Sequence, residues 1–280
     1  TLGDHLNRIC APSADGGRRR CRIHVELDSL LTADRVRVAI LSDIHSNLVA
    51  LEAVVSDAQE QGSGVDRFWA LGDLVGYGPW PNETLDLLRT LDHVAVAGNH
   101  DLAAAGLMST DLFNGDAAAC CEWNGEQLSQ VSRTYLRDLP QTTDTDAGFT
   151  LVHGSLRDPV WEYLVHIEAA AASFERLTTP RLAVGHSHMP LIFEEANEGP
   201  TQRVPTPSDG PITLSRRTIL NPGSVGQPRD GDPRASYAIW DSEVHTVSYH
   251  RVEYDVRATQ EEMERVGLPP RMSARLEHGW

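Results

Sequence analysis

The chain has 280 residues, 40% of them hydrophobic, enough for one large α/β domain or two small ones. Its 24 Lys and Arg stand against 40 Asp and Glu, a net charge of −16 with the histidines neutral. Such a surface repels a long nucleic acid, and no apolar run reaches the length of a membrane span, so neither is expected as a partner.

A small phosphorylated substrate stays compatible with this acidity, because bound divalent metals invert the local field. The four cysteines, Cys10, Cys21, Cys120 and Cys121, form neither a disulfide framework nor a Cys-x-x-Cys metal pattern. With no secretory h-region and no lipidation motif, the expected setting is a reducing cytoplasm.

Residues 1–34 read as a flexible tail: Gly16-Gly17 and the run Arg18-Arg19-Arg20 occur without any sustained period, which fits solvated chain. Regular structure begins at Val36–Leu41, a buried-strand pattern ending at Asp43. A helix follows over 46–60, capped by Ser46 or Asn47, with Leu48, Leu51, Val54, Val55 and Ala58 on one face. Phe68–Leu71 form a second strand with Gly72-Asp73 at its exit, and Pro81-Asn82 open a helix through Leu91. His93–Ala97 form a third strand that ends in Gly98-Asn99-His100-Asp101. This alternation predicts a layered α/β fold.

Residues 102–147 break the rhythm, as a cap-like helical insertion. One helix is expected there from about Asp116 to Leu139, with Trp123, Leu128, Val131, Tyr135 and Leu139 as its apolar face. Phe149–Val152 return as a strand ending at His153, residues 165–177 form an Ala-rich helix, and Arg181–Val184 lead to Gly185-His186-Ser187-His188. Residues 195–211, rich in Pro and Gly, are expected to be a loop or flexible hairpin. Strands at Leu191–Glu194, Thr218–Leu220, Tyr237–Trp240 and His245–Arg251 complete a domain over 35–255, and 256–280 read as a C-terminal helix and tail.

Five motifs carry the chemistry: Asp43-Ile44-His45, Gly72-Asp73, Gly98-Asn99-His100-Asp101, His153-Gly154 and Gly185-His186-Ser187-His188. Each follows a short apolar run, so its polar residues sit just beyond a strand end, where open α/β sheets place their active sites. A lone Asp after a strand is usually a helix cap, and a lone buried His is usually a hydrogen-bonded core residue. Five such motifs in order are another matter. The other histidines, His5, His24, His93, His166, His245, His250 and His278, fit no motif.

The ordered set resembles the calcineurin-like metallophosphoesterase family. The resemblance implies a four-layer α-β-β-α sandwich of two mixed sheets with a helical insertion. It also implies two metal sites, one held by Asp43, His45, Asp73 and His188 and the other by Asp73, Asn99, His153 and His186. Oxygen and imidazole ligands without sulfur suit Mn²⁺ or Fe²⁺/Fe³⁺, with Zn²⁺ or Ni²⁺ as further options. Two such ions roughly 3.5–4 Å apart clamp phosphate oxygens and acidify a bridging water, whose hydroxide attacks phosphorus in line. His100 is not a ligand in this pattern; it is assigned as general acid or as a stabilising cation, with Asp101 orienting its ring.

The expected activity is hydrolysis of phosphodiester or phosphomonoester bonds in small or nucleotide-like substrates. The alternatives are a catalytically silent metal-binding scaffold, a domain with one structural ion, or a protein phosphatase. In phosphatases of this superfamily the bridging-Asp motif continues with an acidic residue and an Arg-Gly pair, and symmetrical dinucleoside-tetraphosphate hydrolases share it. Here the sequence is Leu74-Val75-Gly76-Tyr77-Gly78, which points to the small bacterial phosphoesterase branch. Asn221–Arg229 hold an Asn-Pro-Gly-Ser loop, in which Arg229 either reaches a substrate phosphate or only completes a turn. Tyr77 either stacks on a substrate base or packs the pocket floor, and Trp123 and Trp161 are candidate pocket walls. The sequence does not define an oligomeric state.

Overall fold

A computed structural model of the protein describes residues 35–196, 199–207 and 210–280. The expected N-terminal tail, with its arginine run, lies outside the described residues. From Arg37 the chain runs β1 (Arg37–Leu41), α1 (Leu48–Glu60), β2 (Arg67–Ala70), α2 (Pro81–Thr90), β3 (His93–Ala95) and α3 (Asn99–Ala104). It continues through α4 (Gly115–Gln127), α5 (Gln130–Asp138), β4 (Thr142–Asp144), β5 (Phe149–Val152), α6 (Ile167–Phe174) and β6 (Arg181–Ala183). The remaining elements are β7 (Pro190–Glu194), β8 (Gln202–Val204), β9 (Ile212–Thr213), β10 (Thr218–Pro222), β11 (Ala235–Asp241), β12 (Thr246–Val252), α7 (Val256–Arg265) and α8 (Pro270–Ala274).

The strands form two six-stranded mixed sheets, ordered β3-β2-β1-β11-β12-β9 and β4-β5-β6-β10-β7-β8. In β1, Val38 and Ile40 point to one face while Ala39 and Leu41 point to the other, and all four are fully buried. Both faces are apolar because both are covered. Val38 and Ile40 join Trp69, Phe149, Leu151, Leu220 and Trp240 in the core between the sheets. Ala39 and Leu41 instead meet Leu51, Val54, Leu85 and Leu88 of α1 and α2. On the far side Leu182 and Ile219 pack against Ala169, Ala170 and Phe174 of α6. The result is the four-layer α-β-β-α sandwich.

Two parts differ from the sequence expectation, and the 195–211 stretch takes the hairpin form of the two it allowed. The single helix expected from Asp116 to Leu139 is two, because Leu128 leaves helical geometry and the Ser129 hydroxyl caps a new start by accepting from Ser132 N at 3.1 Å. The break turns Val131 out to solvent, 61% exposed, although it was expected on the apolar face. Part of the 195–211 stretch is a strand, β8, paired antiparallel with β7. Beyond residue 256 the chain folds as α7, α8 and a short 3₁₀ turn that bury Met263, Leu268, Met272 and Leu276 against Tyr77 and Ala117. Among the described residues no helix is long and apolar enough to cross a membrane.

The inter-sheet core is anchored by Phe149, whose ring centroid lies 5.1 Å from that of Trp69 and 5.2 Å from that of Trp240. Phe149→Ala is expected to lower unfolding stability by about 3–5 kcal/mol, read as a reduced midpoint in a urea melt.

Candidate metal centre

β1, β2 and β3 run parallel, as do β5, β6 and β10, so their C-terminal ends lie together at one edge of the sandwich. The loops leaving β1, β2, β5 and β6, with the start of α3, bring Asp43, His45, Asp73, Asn99, His153, His186 and His188 into one cluster. Each of these side chains is at most 3% exposed. They form two overlapping groups. In one, His188 Nε2 lies 3.3 Å from Asp43 Oδ1 and 3.2 Å from His45 Nε2. In the other, His153 Nε2 lies 3.0 Å from His186 Nδ1 and 3.1 Å from Asn99 Oδ1. Asp73 Oδ2 stands between them, 3.6 Å from His45 Nε2 and 3.4 Å from His153 Nε2.

The outward-facing nitrogens set the tautomers. His153 Nδ1 donates to Leu71 O at 2.8 Å, His186 Nε2 to Trp161 O at 3.1 Å and His188 Nδ1 to Gln227 O at 2.5 Å. A carbonyl only accepts, so in the neutral rings the opposite nitrogens face the cluster with lone pairs. Asp43 Oδ1 is buried there without a hydrogen-bond partner. Two carboxylates, one amide oxygen and imidazole nitrogens, converging with unsatisfied lone pairs, fit hard to borderline divalent cations.

Titration in the bare cluster reflects the same crowding. Burial pushes Asp43 up to about 7, against the pull of His153. Burial also disfavours the charge of Asp73, yet His153 holds that carboxyl well below its usual range. The reciprocal effect lifts His153 to about 9, overcoming the burial that would lower it. Burial, reinforced by the charge of His153, carries His186 down to about 3.

With this geometry in place, sequence comparison is decisive: residues 36–244 match the model of the calcineurin-like phosphoesterase superfamily domain. The chain belongs to this superfamily. An uncharacterised protein of Methanocaldococcus jannaschii is 35% identical over 247 residues, 85% of this chain and 96% of its own length. The crystal structure of a metallophosphoesterase from Sphaerobacter thermophilus is 43% identical and superposes with a TM-score of 0.78, over 88% of this chain and 100% of that one. A symmetrical bis(5'-nucleosyl)-tetraphosphatase from Nitrosococcus oceani is 33% identical over 117 residues, only 39% of this chain and 40% of that protein.

Several residues of the cluster adopt unusual backbone geometry. Asp43, His45, Asp73, His186 and His188 have φ between 50° and 64°, a region costing on the order of 1–3 kcal/mol for each non-glycine residue. Cross-loop hydrogen bonds hold them there. Asp43 N donates to Gly72 O at 3.1 Å, His45 N to Asp73 O at 2.9 Å, and His186 N to Asp43 Oδ2 at 3.1 Å. The Asn-Pro-Gly-Ser loop braces them from behind. Asn221 Nδ2 donates to Gly185 O at 2.7 Å, and the Ser224 hydroxyl donates to Asp43 O at 2.8 Å.

One expected pairing is absent. Asp101 does not orient the ring of His100: its two oxygens accept from Val75 N at 3.0 Å and Gly98 N at 2.9 Å. Adjacent residues on a helix point to different faces, so Asp101 fastens the backbone while His100 faces the cavity. The His100 ring is boxed by His45, Tyr77 and Phe113, with centroids 4.7–4.9 Å away, and burial pushes it down to about 4. Tyr77, Arg229 and Trp161 line the same cavity, of about 220 Å³, whereas Trp123 packs into the core beside α7 and α8. Arg229 Nη2 donates to Tyr77 Oη at 3.3 Å and to Gln227 Oε1 at 3.0 Å.

Sequence reasoning missed Asn124, Gln227 and Ser42. Asn124, buried on α4, accepts from the Ser46 hydroxyl at 2.6 Å and donates to Gly76 O and, at 3.1 Å, to Gly78 O. It thereby clamps the loop below His45 and Tyr77. A polar amide in the middle of an otherwise ordinary helix was its one visible signal.

The packing around Asp73 and the brace behind Asp43 each give a prediction. A Cβ at Gly98 would overlap Asp73 Oδ1 and its backbone nitrogen. Gly98→Ala is therefore expected to lose metal binding, measured as bound metal per chain, while circular dichroism stays native. Ser224→Ala removes a brace from Asp43 without touching a ligand, and metal affinity by calorimetry is expected to fall roughly 10- to 100-fold.

Proposed function

We propose that this calcineurin-like phosphoesterase is a two-metal hydrolase acting on small, nucleotide-like phosphate esters. The observation that carries the reading is the pair of ligand groups sharing Asp73 Oδ2 at the floor of an open-mouthed cavity. Asp43, His45, Asp73 and His188 would hold one ion, and Asp73, Asn99, His153 and His186 the other. Mn²⁺ or iron fits this donor set, as do Zn²⁺ and Ni²⁺. When bound, such a pair supplies Lewis acidity and a water acidic enough to act as nucleophile at neutral pH.

The chain's own residues do the rest. Arg229, turned into the cavity beside Tyr77, supplies a guanidinium donor for a phosphate oxygen. His100 lies on the cavity wall as a hydrogen-bond donor to the departing oxygen; burial favours its neutral ring over a cation. Asp101 and Asn124 act as positioning residues, holding the backbone that carries His100 and Gly76. Partial identity to a bis(5'-nucleosyl)-tetraphosphatase supports a nucleotide-like substrate, although the acidic residue and Arg-Gly pair that continue the bridging-Asp motif give way here to Leu74-Val75-Gly76-Tyr77-Gly78.

The test is metal-dependent turnover of bis-p-nitrophenyl phosphate and p-nitrophenyl phosphate with Mn²⁺, Fe²⁺, Zn²⁺ or Ni²⁺. Asp73→Asn is expected to abolish turnover and lower the bound metal. His100→Ala is expected to lower kcat by on the order of 10² to 10⁴ with metal content unchanged. Two bound ions with no hydrolysis of any ester tested would overturn the reading in favour of a metal-binding scaffold.

A further inference from the structure

A second cavity, of about 830 Å³, adjoins the first and shares Tyr77, Asn114, Tyr163 and Arg229 with it. Its far wall comes from α8 and the residues up to Trp280. Three arginines face it, Arg229, Arg271 and Arg275, against one acidic residue, Asp116. That balance is the reverse of the whole chain, with its net charge of −16. Several arginines elsewhere are matched with carboxylates, as in Arg217–Glu195, Arg234–Asp232 and Arg251–Asp230, and others donate to backbone carbonyls, as Arg133 and Arg137 do. Among the described residues none of the three cavity arginines pairs with an Asp or Glu side chain; Arg275 Nε donates to Trp280 O, and Arg229 Nη2 donates to Tyr77 Oη and Gln227 Oε1. Burial and the charge of Arg229 both pull Arg275 below its ordinary value, so the guanidinium groups are close enough to repel one another. An anion placed among them relieves that repulsion and accepts charge-assisted hydrogen bonds.

The cavity also presents flat rings. Tyr163, 49% exposed, stacks on His186 with centroids 4.0 Å apart, so it joins the metal cluster to the second cavity. Trp280, 65% exposed, stands on the opposite side near His278, the centroids 4.9 Å apart. Large exposed rings beside arginines that lack Asp or Glu partners suit a group that is planar at one end and anionic at the other.

We infer that this second cavity is a subsite for the part of the substrate beyond the scissile phosphate. Arg271 and Arg275, with Arg229 at the junction, take a second phosphate, and Tyr163 or Trp280 takes a nucleobase. The preferred substrate class is then a nucleoside polyphosphate or dinucleotide, not a simple monoester. The inference rests on the reading of the adjoining cluster as a phosphate-cleaving centre, but the binding it asserts is measured separately.

The experiment is calorimetric titration of the full chain, kept free of divalent metal by a chelator so that neither probe is cleaved, with α,β-methylene adenosine diphosphate and adenosine monophosphate. The methylene diphosphate is expected to bind on the order of tenfold more tightly, an advantage weakened by added salt. In R271A/R275A that advantage is expected to shrink to within about twofold. R271A alone, on an exposed helical position, gives a partial loss and guards against misfolding of the double variant. Equal affinity for both probes in the parent chain, or an advantage surviving in R271A/R275A, would overturn the inference. Because the readout is equilibrium binding, absence of turnover with generic esters would sink the hydrolase reading and leave this result standing, and the reverse holds equally.

Discussion

The placement of one carboxylate governs the site. Asp73 leaves β2 with φ of 51°, its Oδ1 receives the backbone N–H of His100 at 2.9 Å, and its Oδ2 lies between imidazoles from the two sheets. His45 follows β1 of the first sheet and His153 follows β5 of the second, so Asp73 can reach both only if the sheets keep their register. The aromatic core of Trp69, Phe149 and Trp240 fixes that register some distance below. Packing in the sandwich and geometry in the cluster are thus one constraint seen at two depths.

Around Asp73 the local costs accumulate. Left-handed backbone at five residues of the cluster, buried carboxylates and opposed imidazole lone pairs are each unfavourable alone. They persist because the loops are interlocked, each using a neighbour's carbonyl or carboxylate as its acceptor. The Asn-Pro-Gly-Ser loop is part of that lock: through Gln227 O it sets the tautomer of His188, and through Ser224 it holds Asp43. The scaffold is therefore rigid where the donors converge, which is what a preorganised centre requires.

Much of this was legible in the sequence because it is local. The short apolar runs Val38–Leu41 and Phe149–Val152 marked strands, and the polar residue beyond each marked the edge where function collects. What could not be read depends on partners distant in sequence. The helix break at Leu128-Ser129 is set by a hydroxyl cap in a stretch whose apolar spacing would also permit one helix. Asp101 was misassigned because adjacency in sequence was taken for contact; its true partners include Val75, 26 residues away. Asn124 meets Ser46 and Gly76 across still longer separations, and Arg271 and Arg275 carried no motif at all.

The double duty of α4 has a consequence for how such a protein can change. Its N-terminal end, with Asn114 and Ala117, faces the cavities, while Asn124 two turns later bolts down the loop beneath His45. Substitution at the first end would reshape what is admitted, within the limits set by the Asn114 cap and the packing of Ala117. The second end is frozen, since altering it loosens the machinery itself. Selectivity can drift in this lineage along half a helix while the other half keeps the chemistry intact.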